Sequence, residues 1–242
     1  MRVLHPLRRT ALAVGRAFLD VLAPHHCELC GHSMDRAVSR FEFSCTRCTD
    51  SLLPAPYPEE IFNRLVTRFT GDTLAISRVA ALYTLSDEPP LHKLLYALKY
   101  KGRRRIGREF GRELGEILTL LGLTRYDALI PVPIHAAKYH ERGYNQAEEI
   151  AAGIGTALPV PVRTDLLVRA RYTRSQTMMN AEERQHNVSG VFTTGHDTFQ
   201  LHGGKFLLVD DVLTTGSTLN SCAAALLESG ARQVDAAILV VA

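Results

Sequence analysis

The stretch FLLVDDVLTTGSTL, residues 206–219, decides the fold. Its four leading apolar residues predict a buried strand, and the adjacent carboxylates of Asp210 and Asp211 follow directly. A turn of small hydroxyl residues and Gly216 then leads into a helix that we expect at about 217–229. A strand end that served packing alone would need neither paired acids nor such a turn. The segment therefore indicates a ligand site.

Strands and helices alternate along the chain from about residue 74. The apolar patterns predict strands at 75–85, 127–133, 160–170 and 233–242, and helices at 91–123, with a break at Gly102, and at 145–158. Gly230 marks the expected end of the helix that follows the acids. This alternation is typical of an α/β fold with a parallel sheet flanked by helices. Ligands of such sheets bind beyond the carboxyl ends of the strands, where Asp210 and Asp211 would lie.

The turn after the two acids has the composition of an anion site. Backbone N–H groups at the start of a helix attract anions together with the helix dipole, and glycine lets a ligand approach the backbone closely. The residues assigned to a phosphate are Thr214, Thr215, Gly216, Ser217 and Thr218. Carboxylates that can bind sugar hydroxyls, beside a pocket for a phosphate, fit a ribose 5-phosphate.

Four of the five cysteines lie in one short segment near the N-terminus. Cys27 and Cys30 form one CxxC pair, and Cys45 and Cys48 form another. Two such pairs can close a tetrahedral zinc site, which we expect to be structural because four thiolates leave no open coordination position; disulfides or free thiols are the alternatives. Clustered cysteines without a secretory signal favour a reducing, cytoplasmic location. The fifth cysteine, Cys222, is predicted to lie in the core.

Composition divides the chain into an N-terminal helix at 1–23, a zinc-ribbon-like domain at 24–58 and an α/β domain at 70–242. The N-terminal segment imitates a signal peptide, but Arg16 and Asp20 interrupt its apolar region, so we expect an amphipathic helix. Apolar runs are too short for a transmembrane helix, and we expect no stable membrane insertion. A net charge of +3 is mildly basic and does not favour a dedicated nucleic-acid-binding protein.

Residues 206–218 resemble the phosphoribosyl diphosphate (PRPP) loop of type I phosphoribosyltransferases. The resemblance implies that Asp210 and Asp211 are the catalytic acids, which bind the ribose 2′- and 3′-hydroxyls, often with magnesium. It also implies that residues 214–218 hold the 5-phosphate.

Further segments resemble the ComF family, phosphoribosyltransferase-like proteins linked to competence and DNA uptake. They are CELC…CTRC at 27–48, LKYKGRR at 98–104, IPVPIHAAKYHERGYNQAEEIA at 130–151 and ARYTRSQTMMNAEERQHNVSGVF at 170–192. The resemblance implies a type I phosphoribosyltransferase-like sheet behind a small N-terminal zinc ribbon with four cysteine ligands. It also implies PRPP, an unknown acceptor base or amine, single-stranded DNA and DNA-uptake proteins as partners.

Two loops receive roles from this resemblance. Lys138 and Arg142 would contact pyrophosphate, although an ordinary solvated basic loop is the alternative, and Asn145 can instead cap the following helix. Arg171, Arg174 and Arg184 would belong to a flexible loop that closes over PRPP, with an exposed charged connection as the alternative.

Lys99 and Tyr100, beside the expected break at Gly102, can frame an acceptor-base pocket, but a surface lysine is the preferred interpretation of Lys99. A basic run suits a polyanion, although charged helices more often present a solvated face. That run comprises Lys101, Arg103, Arg104, Arg105 and Arg108.

Two classes of function remain open. The chain is either a magnesium-dependent phosphoribosyltransferase or a non-catalytic module that senses PRPP or a nucleotide and joins single-stranded DNA and DNA-uptake proteins. An intact PRPP loop favours the enzyme, but a retained ligand loop does not by itself establish turnover.

Overall fold

The computed structural model describes residues 25–35, 38–69, 73–86, 89–169, 191–195 and 201–242. The chain divides into two compact units, Met1–Leu52 and Leu53–Ala242. The N-terminal helix expected at 1–23 lies outside the described residues.

The smaller unit is built around buried aromatic rings and cysteines. Its one described helix, α1, is short and spans Thr46–Asp50. Antiparallel bridges join His26 to Ser33 and Phe41 to Ser44. The rings of Phe41 and Phe43 are buried and stack with their centroids 5.1 Å apart. The described part of this unit has few elements and a small apolar core, and domains of that kind usually need a further constraint to be stable.

The larger unit contains six helices and six strands among the described residues. The helices are α2 (Pro58–Arg68), α3 (Pro89–Tyr100), α4 (Arg104–Leu120), α5 (Ala136–Arg142), α6 (Gln146–Ala157) and α7 (Ser217–Glu228). The strands are β1 (Val79–Thr84), β2 (Ala128–Pro131), β3 (Leu167–Arg169), β4 (Phe192–Thr194), β5 (Lys205–Leu213) and β6 (Gln233–Val241). None of the helices within these ranges combines the length and the apolar character needed to cross a bilayer.

The main sheet has the order β1-β6-β5-β2, and every pair in it is parallel. Of the two central strands, β6 is buried along almost its whole length and β5 is buried from Phe206 to Val209, as expected for a sheet covered on both faces. Their carboxyl ends lie at one edge because all four strands run in the same direction. The predicted α/β class with a parallel sheet is confirmed.

The strand predicted at 160–170 is instead divided into two pieces. Val162 forms a parallel bridge with Leu129 and so extends the main sheet beyond β2. The chain then bends, and the side chains of Arg163 and Asp165 pair across the bend with Nη2 and Oδ2 2.7 Å apart. The remainder, β3, leaves the main sheet and pairs antiparallel with β4. The polar residues 163–165 therefore mark a change of sheet between two short apolar pieces.

Helix α7 begins and ends close to its predicted limits. Gly230 has φ +102°, and its N–H donates to the carbonyl of Leu227 at 3.0 Å. The N–H of Ala231 donates to the carbonyl of Leu226 at 3.0 Å. These two bonds form a Schellman motif, which requires the left-handed residue that glycine supplies. Cys222 is 0% exposed, as predicted for a core residue.

Helices α3 and α4 lie where a helical pattern with a break was predicted at 91–123. The break is at Gly102, as predicted, and φ of Gly102 is +64°. Helix α4 packs on α6 through glycines. A Cβ added at Gly111 would strike the carbonyl oxygen of Ile150, and one added at Gly153 would strike that of Arg108. The two backbones are therefore in direct contact, which fixes the start of α6 near the carboxyl edge of the sheet.

Candidate functional site

The two acids lie at the carboxyl end of a central strand. β5 continues through both of them to Leu213, so the strand is longer than predicted, and Asp210 is in register with Ile238 of β6. Both acids are half-buried. Their backbone is thus held by the sheet itself and not by a flexible loop.

Asp211 forms an ion pair with Lys99 of α3. Lys99 Nζ lies 2.9 Å from Asp211 Oδ2, and the two side chains are only 23% and 15% exposed. The interpretation of Lys99 as a surface lysine is therefore wrong. The ammonium group of Lys99 reaches inward to the acid and not outward to water.

Asp210 is held in an environment that disfavours its charge. Burial and the neighbouring charge of Asp211 raise the pKa of Asp210 to about 7. The backbone N–H of Asp211, which donates to Asp210 Oδ1 at 2.8 Å, and the cations of Lys99 and Lys138 act in the opposite direction. A small change of charge nearby would therefore decide whether Asp210 is ionised at neutral pH.

The turn between β5 and α7 holds its hydroxyl groups in fixed positions. Thr215 and Ser217 share a hydrogen bond of 3.0 Å between their hydroxyl oxygens, and the N–H of Ser217 donates to Thr215 Oγ1 at 3.3 Å. Gly216 has φ +79°, a conformation that favours glycine. The first N–H groups of a helix have no acceptor within it, so the start of α7 offers donors to an anion.

Helix α2 covers one side of this turn. A Cβ added at Gly216 would lie 2.6 Å from Leu65 Cδ2, so the turn has no room for a larger residue. Thr214 and Thr215 line a cavity of about 210 Å³, and Arg64 and Arg68 of α2 stand on its wall. The surroundings of the turn therefore carry positive charge.

Strand β2, next to β5, leads into a second polar segment. Asn145 caps α6, as the alternative interpretation expected: its side chain accepts from the N–H of Ala147 at 3.1 Å. Its amide also donates to the carbonyl of Val132 at 3.0 Å and so ties the cap to the end of β2. The basic segment between β2 and α6 is therefore fixed at both ends.

Arg142 lies beside this cap and has an unused donor. Its Nη1 donates to Gln146 Oε1 at 2.8 Å, and its guanidinium stacks 5.1 Å from the centroid of the Tyr100 ring. Among the described residues, Arg142 Nε and Gln146 Nε2 are buried without a hydrogen-bond partner. Buried donors normally find acceptors, so these two donors are suited to an acceptor such as an anion. Lys138 is exposed one turn earlier.

The segments 98–104 and 142–146 hold each other in place. Tyr144 donates its hydroxyl to the carbonyl of Leu98, and Arg104 donates to the carbonyl of Gly143 at 3.1 Å. The Arg104 guanidinium also lies 4.6 Å from the centroid of the Tyr144 ring. Two sequence motifs that are far apart in the chain thus form one structural support.

The three arginines of the basic run that lie on α4 are paired with two carboxylates. Arg105 Nε lies 2.6 Å from Glu109 Oε1, and Arg108 Nε lies 2.6 Å from Glu149 Oε2. Arg104 also approaches Glu149 Oε1 at 3.7 Å. These pairs neutralise much of the charge, so this face is a weaker candidate for a polyanion than its sequence indicates.

The four N-terminal cysteines form a compact cluster in the smaller unit. Their sulfur atoms all lie within 4.8 Å of one another, and those of Cys30 and Cys45 are 3.8 Å apart. A tetrahedron of thiolates about 2.3 Å from a metal ion has edges of about 3.8 Å. Burial acts to raise the pKa of Cys27, but hydrogen bonds from the N–H groups of Cys45, Cys30 and Leu29 outweigh it and lower the pKa to about 6. The cluster can hold a metal ion.

Two residues of the larger site, Gln146 and Lys99, have contacts that the sequence did not predict. Three other expected residues cannot be compared with the structure. Gln146, which is 2% exposed, stood in a quoted motif but received no role; its polarity on a buried helix start was the available signal. Lys99 was considered but assigned to the surface. Arg171, Arg174 and Arg184 lie outside the described residues.

Comparisons with known proteins point to one family. A family model described as a phosphoribosyl transferase domain matches residues 141–242. The chain is 31% identical over 160 residues to the DNA utilization protein YhgH of Shigella flexneri, an alignment that covers 63% of this chain and 68% of that protein. It is 32% identical over 108 residues to competence protein F of Haemophilus influenzae, covering 45% of this chain and 47% of that protein.

A solved structure is more distantly similar. The glutamine PRPP amidotransferase from B. subtilis, complexed with ADP and GMP, is 19% identical and has a TM-score of 0.41. The match covers 59% of this chain and 30% of that one. The fold assignment rests on the parallel sheet and the matching family model. The chain spans about half the length of the Haemophilus protein and two thirds of the Shigella protein.

Proposed function

Because the chain belongs to the ComF family of phosphoribosyltransferase-like proteins, we propose that its larger unit binds PRPP at the carboxyl edge of the parallel sheet. Asp210 and Asp211 bind the ribose hydroxyls, and residues 214–218 hold the 5-phosphate. Arg142 and Lys138 lie on the pyrophosphate side. This assignment places each part of PRPP next to groups of complementary charge.

One observation carries the proposal. The adjacent strands β5 and β2 bring a pair of half-buried acids and two buried, unpaired donors to the same edge of the sheet. The acids suit hydroxyl groups or a cation, and the donors of Arg142 and Gln146 suit phosphate oxygens. A ligand that carries both a sugar diol and phosphates satisfies both sets at once.

Magnesium fits the acid pair, since carboxylate oxygens are the ligands that Mg²⁺ prefers. Asp210 and Asp211 would hold it, and when bound with PRPP it would supply charge neutralisation to the phosphate oxygens. The chain's own contribution is to orient the ribose through the sheet-held acids and to stabilise departing pyrophosphate with Arg142 and Lys138. In the transfer, the bond between C1′ and the pyrophosphate oxygen breaks, and a nitrogen of a base or amine bonds to C1′ and releases its proton.

The four clustered cysteines suit zinc better than a disulfide framework. Their sulfur positions fit one tetrahedral ion, and four thiolates around zinc leave no open position for catalysis. The ion would then supply stability that the small core of this unit lacks. A cytoplasmic location, where the thiols stay reduced, is part of the same proposal.

The names of the relatives favour a second candidate. One relative is named for competence and the other for DNA utilization. In this second candidate function, the chain acts in competence or DNA use as a module that senses PRPP or a nucleotide. The module also binds single-stranded DNA and DNA-uptake proteins. The paired arginines of α4 argue against that helix as the DNA-binding face.

Calorimetric titration of the full chain with PRPP, with and without Mg²⁺, tests the proposal. We expect PRPP to bind in the presence of Mg²⁺. The affinity for PRPP should fall by at least about tenfold in Asp211→Asn, because a charge-assisted contact is removed. Asp165 is an exposed acid distant from β5 in sequence, so Asp165→Asn is the matched control and should bind PRPP normally. Absence of PRPP binding to the unmodified chain contradicts the proposal.

A screen of bases and amines for pyrophosphate release then separates the two candidates. Release with one acceptor establishes the enzyme, whereas PRPP binding without release on any acceptor favours the sensing module. Binding to single-stranded DNA at several salt concentrations tests the DNA contact by itself.

A further inference from the structure

Lys99 reaches the acid pair from α3. It lies in the last turn of α3, and its Nζ is 2.9 Å from Asp211 Oδ2. Its charge also acts on Asp210. Both members of the pair are mostly shielded from solvent, so the attraction between them is screened less than at an exposed position. The ion pair is therefore a property of the site and not a surface contact.

The ion pair occupies a carboxylate oxygen that a ligand would need. An ammonium group at 2.9 Å lies where a divalent cation or a ribose hydroxyl would contact Asp211. Asp210 Oδ1 is also engaged, by the N–H of Asp211. A cation that enters the acid pair must therefore compete with Lys99 for Asp211, and its own charge repels the ammonium group at that distance.

The backbone around Lys99 is held by the segment that carries Arg142. The Tyr144 hydroxyl donates to the carbonyl of Leu98, and the guanidinium of Arg142 stacks on the ring of Tyr100. The residues on either side of Lys99 are thus fixed to the pyrophosphate side of the site. A lysine side chain has four rotatable bonds, so the ammonium group can leave Asp211 while its backbone stays in place.

We propose that Lys99 is a positioning residue that serves as the resident counter-cation of Asp211 and that a divalent metal ion must displace. The displaced ammonium group then has the phosphate oxygens of PRPP as its new partner. Bound PRPP therefore raises the affinity for the metal ion, and the bound metal ion raises the affinity for PRPP by the same factor. This inference rests on the proposed PRPP site and names the residue that links its two ligands.

Binding of Mn²⁺ to the full zinc-loaded chain, measured from the electron paramagnetic resonance signal of free Mn²⁺, tests this role without PRPP. Lys99→Met keeps the apolar stem but removes the charge, and we expect it to bind Mn²⁺ at least about tenfold more tightly. Lys99→Arg keeps the charge and should stay within about twofold of the unmodified chain. Lys101→Met, on the same segment but outside the ion pair, is the control and should also be unchanged. Equal or weaker Mn²⁺ binding by Lys99→Met overturns the inference.

A second measurement uses the unmodified chain and does not depend on how variants fold. Acetylation of lysines by acetic anhydride, followed by mass spectrometry, should be slow at Lys99 and should accelerate when Mn²⁺ is added, with Lys101 as the internal reference. Unchanged labelling of Lys99 refutes the displacement. Since neither arm contains PRPP, a failure of PRPP to bind would contradict the proposed function and leave this result standing.

Discussion

Replacing Asp210 with asparagine should stabilise the protein at alkaline pH while it weakens PRPP binding. The pKa of Asp210 rises from an ordinary 3.8 to about 7 in the folded chain, because burial and Asp211 disfavour its charge. Below pH 4 the carboxyl is protonated in both states and has no effect. Between pH 4 and 7 only the unfolded chain loses the proton, so stability falls as the pH rises, and the full cost remains above pH 7.

The size of this effect follows from the shift. About three pH units at about 1.4 kcal/mol each correspond to about 4 kcal/mol of lost folding free energy at pH 8. An asparagine side chain keeps the shape and an oxygen that can accept from the N–H of Asp211 without carrying the charge. We therefore expect Asp210→Asn to raise the free energy of unfolding by up to about 4 kcal/mol at pH 8 and by little at pH 4.5.

Urea denaturation of both proteins at several pH values between 4.5 and 8 measures this difference. Asp165→Asn is the control with the opposite sign, because the hydrogen bond from Arg163 lowers the pKa of Asp165 and its charge therefore stabilises the fold. A gain for Asp210→Asn that does not grow with pH would refute the reasoning. It would mean that the site compensates the charge of Asp210 fully.

Three further changes have definite expected outcomes. Gly216→Ala should lower PRPP affinity by at least about tenfold in titration and lower the free energy of unfolding by about 1–2 kcal/mol in denaturation. The reason is that φ is +79° and that an added Cβ would lie 2.6 Å from the Leu65 side chain. Gly153→Ala should cost about 2 kcal/mol in denaturation, since its Cβ meets the backbone of α4, whereas Gly155→Ala on the same helix has ordinary space and should be neutral or slightly stabilising. Cys45→Ser should lose the zinc ion by mass-spectrometric metal analysis, whereas Cys222→Ala should keep it; retention of zinc by Cys45→Ser would exclude the four-cysteine site.

The parallel sheet was predictable because its signals are local. An apolar run that ends in polar residues and is followed by a helical pattern describes one β-α unit, and several such units leave few arrangements open. The ends of α7 were predictable for the same reason, since Gly230 supplies the left-handed residue at its stop. The division of the strand at 160–170 was not, because both pieces are apolar and the pattern does not record which neighbour each piece joins.

From the residues alone, a ligand site is expected only at the segment where its groups are consecutive. Asp210, Asp211 and the turn to Ser217 are consecutive, so their composition alone indicates a sugar and a phosphate. Other elements bring further groups to this edge of the sheet: Lys99 of α3 contacts Asp211, and Arg142 and Gln146 come from the segment after β2. Helical periodicity states which face of α3 a residue occupies but not what stands opposite, so Lys99 looked like any lysine beside a helix end.

The contacts between segments 98–104 and 142–146 give a physical reason for Tyr100 and Arg104 of LKYKGRR. Arg104 is used to hold Gly143 and Tyr144, and Tyr100 is used to stack Arg142. With both neighbours of Lys99 held in place, its ammonium group lies 2.9 Å from Asp211 Oδ2. The motif therefore acts as a support that delivers one cation to the acid pair, and the charge it delivers decides how the pair receives a second cation.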